Sequence, residues 1–234
     1  MAKNKNSSVG NSAEKGGRIV VSKNGPYIVF GGLPLAREIA VPDSEGHPVK
    51  WVKGKRFPTE GNYSLCRCGL SKKRPFCDGT HAKTGFDGTE TASREEFLKQ
   101  AEEFRGPGLV LADWPELCAR AGFCHSKEGD TWSLTKASDD PKAKKIAIRQ
   151  ACDCPAGRLV AYEKDTDKPI EPKFEQSISV TKWQGEKFLG PLWVKGGVQI
   201  ESQDGKKYET RNRVTLCSCG KSKNKPFCDG SHMD

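Results

Sequence analysis

Cys66-Arg67-Cys68-Gly69-Leu70-Ser71-Lys72-Lys73-Arg74-Pro75-Phe76-Cys77-Asp78-Gly79-Thr80-His81 decides how this chain is read, because its frame occurs twice. Residues 217–232 repeat it as Cys217-Ser218-Cys219, eight residues, then Cys228-Asp229-Gly230-Ser231-His232. Three cysteines and a histidine return at the same spacing, 151 positions further on. Between them stand Gly-x-Ser, three variable residues and Pro-Phe-Cys-Asp-Gly in both copies. A match of this length is not chance: the chain has been duplicated around a metal-binding segment.

The duplication extends upstream. Gly190-Pro191-Leu192-Trp193-Val194-Lys195-Gly196-Gly197 answers Gly25-Pro26-Tyr27-Ile28-Val29-Phe30-Gly31-Gly32 at an offset of 165, so the first copy carries fourteen extra residues before its cysteines. They are expected within 34–58, as a surface loop. Short β-prone runs at 18–21 and 27–30, broken by Asn24-Gly25-Pro26 and Gly31-Gly32, predict strands. A whole β-rich unit is therefore doubled, over 18–86 and 175–234. Residues 1–17 are polar and Gly/Ser-rich without periodicity, the composition of a disordered tail. The middle, 87–174, differs in character. Ser93-Arg94-Glu95-Glu96 has the form of a capping box opening a helix that Gly106-Pro107 ends. Asp113-Trp114-Pro115-Glu116 predicts a second, shorter helix carrying Cys118, and Asp140-Pro141 a third reaching about Ala151, with a strand over 158–162. The expected fold is α+β: two small β-rich units flanking a small α/β unit.

Composition narrows the function. Only 35% of residues are hydrophobic, with 25 glycines and 14 prolines, so each small unit needs a metal or a cross-link to supplement its core. The first 17 residues hold no apolar signal segment, and no run approaches the roughly 18 apolar residues of a membrane span. Ten cysteines then point to metal-bound thiolates in a reducing cytoplasm rather than to a disulfide framework. The formal charge of +9 is spread over the chain with no nucleic-acid motif. It describes a solvated surface that favours acidic protein partners, with no nucleic acid and no membrane expected.

Three thiolates and an imidazole make a full set of four protein ligands. A tetrahedral zinc takes such a set, and so does a 2Fe–2S cluster whose two irons take two ligands each. Cys-x-Cys favours the second, since it brings two sulfurs close on one short extended segment. Cys77 and His81, four apart, share a face at the start of a helix. Asp78 is expected as its N-cap, with the helix start aiming N–H groups at negative charge.

Both stretches resemble the CDGSH iron–sulfur domain of the mitoNEET family, matching every fixed position at Ser71, Pro75 and Thr80 and again at Ser222, Pro226 and Ser231. The resemblance covers about half the chain and implies a 2Fe–2S cluster in each unit. Cys66 and Cys68 would hold the inner iron of the first, Cys77 and His81 the outer, more exposed iron. Cys217 and Cys219, then Cys228 and His232, take the same places in the second. With two motifs and no anchor, the chain is similar to the soluble two-motif members, which implies a monomer folded as an internal pseudo-dimer. An imidazole in place of a thiolate lowers the negative charge at the cluster and raises its reduction potential. It also opens a route for protons to act on the site.

The middle cysteines resemble a single-cluster bacterial ferredoxin. Cys118 and Cys124 bracket the Cys-x-x-X-x-x-Cys spacing, and Cys154-Pro155 supplies the distant Cys-Pro. The usual fourth ligand X is Ala121 here, which cannot ligate. A 3Fe–4S cluster would need only Cys118, Cys124 and Cys154; a 4Fe–4S cluster would need a substitute, for which Cys152 and His125 are candidates. A zinc site and a redox-silent degenerate unit are the other readings.

The chain therefore reads as a non-enzymatic iron–sulfur protein that carries single electrons between redox proteins or hands clusters to apo iron–sulfur acceptors. An electron-feeding component of an oxidoreductase and a redox or pH sensor acting through partner binding are the alternatives. No substrate-pocket motif, nucleotide-binding glycine loop or nucleophile with its base is present.

Overall fold

The computed structural model describes residues 16–166 and 168–234. Positions 1–15 of the expected tail lie outside the described residues. Its last residue does not behave as tail: Gly17 is buried, and its N–H donates to Gln176 Oε1 at 2.8 Å.

The first unit contains β1 (Arg18–Val21), β2 (Tyr27–Phe30), β3 (Leu35–Pro42), β4 (Pro48–Phe57), β5 (Tyr63–Leu65) and one helical turn, α1 (Thr80–Lys83). The middle holds α2 (Phe97–Gln100), β6 (Glu102–Arg105), β7 (Leu109–Asp113), β8 (His125–Ser126), β9 (Gly129–Asp130), α3 (Thr131–Lys136), α4 (Pro141–Asp153), β10 (Leu159–Glu163) and β11 (Pro169–Ile170). The last unit contains β12 (Ser177–Trp183), β13 (Leu192–Lys195), β14 (Gln199–Glu201) and β15 (Arg213–Leu216). The molecule is mixed α+β with several small sheets.

The two β-rich units exchange strands. One sheet runs β14-β1-β2-β5 and the other β15-β13-β12-β3-β4. Thus β14 of the last unit lies parallel to β1 of the first, with Ile19 opposite Ile200, while β3 lies parallel to β12, with Ile178 opposite Leu35. Under the sequence repeat β1, β2, β3 and β5 correspond to β12, β13, β14 and β15, so the exchange is reciprocal. This is a pseudo-dimer within one chain. Its strands alternate buried and half-exposed residues, as in β1 and β2, and the buried sets meet in one core. Ile19, Val29 and Leu65 of the first unit pack there with Ile178, Leu192 and Leu216 of the last and with Ala112 and Val160 of the middle. Each large side chain so buried contributes about 1.5–3 kcal/mol, and none of the three segments holds a separate share of it.

The fourteen extra residues are not a surface loop. They lengthen β3 and build β4, a long antiparallel hairpin on the edge of the exchanged sheet, with β-bulges between Ala36 and Glu38 and between Val41 and Pro42. Lys50, Lys53, Lys55 and Arg56 along this edge discourage further strand pairing.

In the middle unit the sheet order is β11-β10-β7-β6. The helix expected from Ser93 to Gly106 is only the single turn α2, followed by β6. Ser93 Oγ accepts the N–H of Glu95, and Glu96 caps the turn with its backbone alone. Pairing of Phe104 with Leu111 of the fully buried β7 wins over local helix propensity. The second expected helix is a 3-10 turn over Pro115–Leu117 that hands the chain to Cys118. Asp113 does not cap it: its carboxylate takes two hydrogen bonds from Arg158, at 2.6 and 2.8 Å, and one from Trp132 Nε1. The third helix is α4, with Asp140 accepting the N–H groups of Lys142 and Ala143 and Pro141 at its first position.

Candidate metal centres

Each Cys-x-Cys segment follows the strand that leads into it, β5 or β15. Cys66 N–H donates to the carbonyl of Pro75 and Cys217 N–H to that of Pro226, while Cys77 and Cys228 donate back to Ser64 and Thr215. Both X-Pro bonds, Arg74-Pro75 and Lys225-Pro226, are cis. The motif's fixed polar residues hold the returning loop. Ser71 Oγ donates to Phe76 O and accepts from Lys73 N–H; Ser222 does the same with Phe227 and Asn224. Asp78 bridges the loop by accepting from the N–H groups of Lys72 and Thr80, and Asp229 from those of Lys223 and Ser231. The role expected of Asp78 as a helix N-cap is thereby changed. Gly79 and Gly230 occupy the cap positions, one helical turn or less follows, and the aspartate is a clamp across the loop.

The donors come together in pairs. Cys66 Sγ lies 3.8 Å from Cys68 Sγ and Cys217 Sγ 3.7 Å from Cys219 Sγ; Cys77 Sγ is 3.3 Å from His81 Nδ1 and Cys228 Sγ 3.5 Å from His232 Nδ1. All ten cysteines are free thiols. Among the described residues no three His, Cys, Asp or Glu side chains gather around one point as the ligands of a single ion would. Two pairs per site suit a group with two metal positions.

Burial makes several of the thiols poor acids on their own. It pushes Cys68 and Cys228 up, and Cys124 up to about 12. Cys217 moves the other way, held down by its contact with Cys219 and then by backbone N–H groups that donate to its sulfur. Buried thiolates need positive charge beside them, which a bound metal supplies. Burial first, and then Arg120, hold His232 down at about 4, so its imidazole is neutral and able to ligate. Its buried Nε2 has no hydrogen-bond partner, and its ring lies against Trp183 and Phe188 at 5.7 and 6.1 Å. These residues fit an iron–sulfur group at each motif.

The two motif loops meet back to back. Gly69 and Gly220 both have positive φ, and a β-carbon on either would fall 2.5 or 2.7 Å from the carbonyl oxygen of Cys219 or Cys68 in the opposite loop. Glycine is required there twice over, by φ and by space. Tyr27 of the first unit donates its hydroxyl to the carbonyls of Cys217 and Pro226 of the last.

Cys118, Cys124 and Cys154 line one pocket with Arg158, Pro155 and Ala121. Three cysteines border it, and the sequence position of the usual fourth ligand is held by the buried methyl of Ala121. Neither proposed substitute reaches the pocket. Cys152 Sγ is directed at Ile170 O, 3.5 Å away, and borders the groove between β4 and residues 172–179; His125 is exposed in β8 against the ring of Trp132. Cys152 stands in the last turn of α4 and Cys154, two residues on, is its C-cap, so the chain leaves the helix between them and the two side chains part.

This pocket touches the last motif. Cys154 packs on a buried cluster of Ala119, Ala156 and Cys228. Arg213 of β15, 1% exposed, donates to the carbonyls of Ala151, Cys154 and Leu159 and pairs with Glu171. Sequence reasoning missed Arg213 and Arg67, the largest buried side chains; a charged residue beside a cysteine loop is the only hint the sequence offers of either. Arg67 donates to the carbonyls of Gly25 and Ser22, where Ser218 donates to Gly190 in the second copy.

The paired cysteine and cysteine–histidine donors, doubled about a pseudo-twofold and joined to a three-cysteine pocket, define an iron–sulfur protein. The family model for the iron-binding zinc finger of CDGSH type matches residues 24–82 and again 189–233, and that for a divergent 4Fe–4S mono-cluster domain matches 104–164. The chain thus carries two CDGSH units flanking a divergent mono-cluster domain. No curated protein and no solved structure matches it.

Proposed function

We propose that this chain holds a 2Fe–2S cluster in each CDGSH unit and a third cluster in the middle, and that it conducts single electrons between partner redox proteins without catalysing a reaction of its own. The observation that carries this reading is the unbroken contact between the sites. The Cys66/Cys68 loop abuts the Cys217/Cys219 loop at Gly69 and Gly220, and Cys228 of the same second site packs with Cys154 of the middle pocket. A cluster at each site would supply a one-electron acceptor. The chain's residues do the rest: Cys66, Cys68, Cys217 and Cys219 would hold the facing irons, Cys77 with His81 and Cys228 with His232 the outer ones. Arg158, pinned by Asp113, holds a positive charge on the wall of the middle pocket, where it lowers the cost of placing an electron there. With three sulfurs and Ala121 in the fourth position, the middle pocket favours a 3Fe–4S cluster.

A second reading rests on the first motif. Cys77 is half-buried where Cys228 is 2% exposed, so the Cys77–His81 pair is suited to releasing a cluster to an apo-acceptor in a reducing cytoplasm. Iron and acid-labile sulfide counts with EPR on anaerobically purified protein test the main reading. Seven irons with a 3Fe–4S signal are expected. Four irons with 2Fe–2S signals alone would remove the middle cluster, and eight would replace its type.

A further inference from the structure

The two CDGSH sites are alike in sequence and unlike in surroundings. The outer side of the second is covered by the chain itself. A methyl group at Gly230 would fall 2.7 Å from Arg120 Cγ, and Arg120 Nη1 reaches Asp234 Oδ1 at 2.7 Å. Thr91 Oγ1 donates to Lys223 O, the N–H groups of Thr91 and Ala92 to Lys225 O, and Asn224 Nδ2 to Glu116 O. Lys221 and Lys225 turn their ammonium groups onto the carbonyls of Asp234 and Ser222.

At the first site the same positions stand open. A methyl group at Gly79 would meet nothing within 4 Å. Lys72, Lys73 and Lys83 are exposed and, among the described residues, form no ion pair. Leu70, where the second copy has Lys221, is 53% exposed. Over residues 70–84 four cations stand against a single carboxylate, Asp78, whose oxygens are engaged with backbone N–H groups.

From this we infer that the face carrying Leu70, Lys72, Lys73, Cys77, His81 and Lys83 is the docking surface for an acidic iron–sulfur carrier protein, which takes on the first site the place that the middle unit takes on the second. Charge complementarity selects the partner: free lysines around a small apolar centre steer and orient a carboxylate-rich surface. The internal counterpart selects the position, since the chain already seats an iron–sulfur unit against the equivalent face. The inference rests on the iron–sulfur reading of the two motifs, but binding can be measured whether or not electrons pass.

The test uses the full cluster-loaded chain and, as probe, an acidic plant-type 2Fe–2S ferredoxin. Binding is followed by titration calorimetry, and contacts by carbodiimide cross-linking of lysine to carboxylate. The ferredoxin is expected to bind, with affinity falling as salt rises from about 20 mM to about 150 mM and the screening length shrinks to about 8 Å. Cross-links should fall on Lys72, Lys73 and Lys83. The triple variant Lys72→Glu, Lys73→Glu, Lys83→Glu should weaken binding tenfold or more with unchanged iron content and visible spectrum, whereas Lys223→Glu, the equivalent of Lys72 in the second copy, should change it less than twofold. No binding by wild type, cross-links confined to other lysines, or equal loss in both variants would overturn the inference. Loss of clusters in the wild type would instead strike at the iron–sulfur reading, and the iron count separates the two failures.

Discussion

At the residue scale, the two histidines distinguish these sites from an all-cysteine cluster. His81 and His232 each bring Nδ1 to the sulfur of the cysteine four residues earlier, so under the proposed ligation an imidazole would replace a thiolate at each outer position and remove one negative charge. Substituting His81→Cys and His232→Cys should lower the corresponding reduction potentials by on the order of 100 mV, the direction set by the added thiolate charge. Redox titration followed by EPR checks it, and unchanged potentials would show that the histidines do not ligate. The pairing of the donor groups is legible in the sequence because covalent spacing fixes which donors one short loop can present. Arg67 and Arg213 are not. Their value lies in carbonyls contributed by Gly25, Ser22, Ala151, Cys154 and Leu159, which spacing does not reveal.

At the scale of elements, local signals succeeded where nothing distant competed. Asp140-Pro141 opened α4 as read, because a side-chain cap and a proline at the first position act on the helix's own N–H groups. Asp140→Ala should cost about 1 kcal/mol, seen as a lower midpoint in urea unfolding; an unchanged midpoint would deny the cap its role. The capping box at Ser93 failed because β6 and β7 pair through Phe104 and Leu111, a gain invisible in a ten-residue window. The strand pairing of the residues between 34 and 58 escapes a local reading for a related reason. Their hydrophobic pattern belongs to a strand only once β12 lies beside β3.

At the scale of the whole molecule, the exchange of β3 and β14 makes each CDGSH unit incomplete without the other. Residues 175–234 expressed alone would leave β12 without its parallel partner and β14 with nothing to join. That fragment should be unfolded by circular dichroism or should self-associate in sedimentation; a folded monomer would refute the dependence. The shared core of all three segments makes the same demand.

By itself the sequence determined the donors, their grouping into two repeated sets and a third incomplete one, and the α+β alternation around them. These follow from spacing, ligand chemistry and short-range backbone geometry, which are properties of neighbouring residues. Only the tertiary structure decided that the two repeats exchange strands, that Cys152 and Cys154 part company, and that one of two near-identical sites is covered while the other faces solvent. Those outcomes depend on which surfaces meet when strands far apart in the chain pair, and no local pattern specifies that meeting.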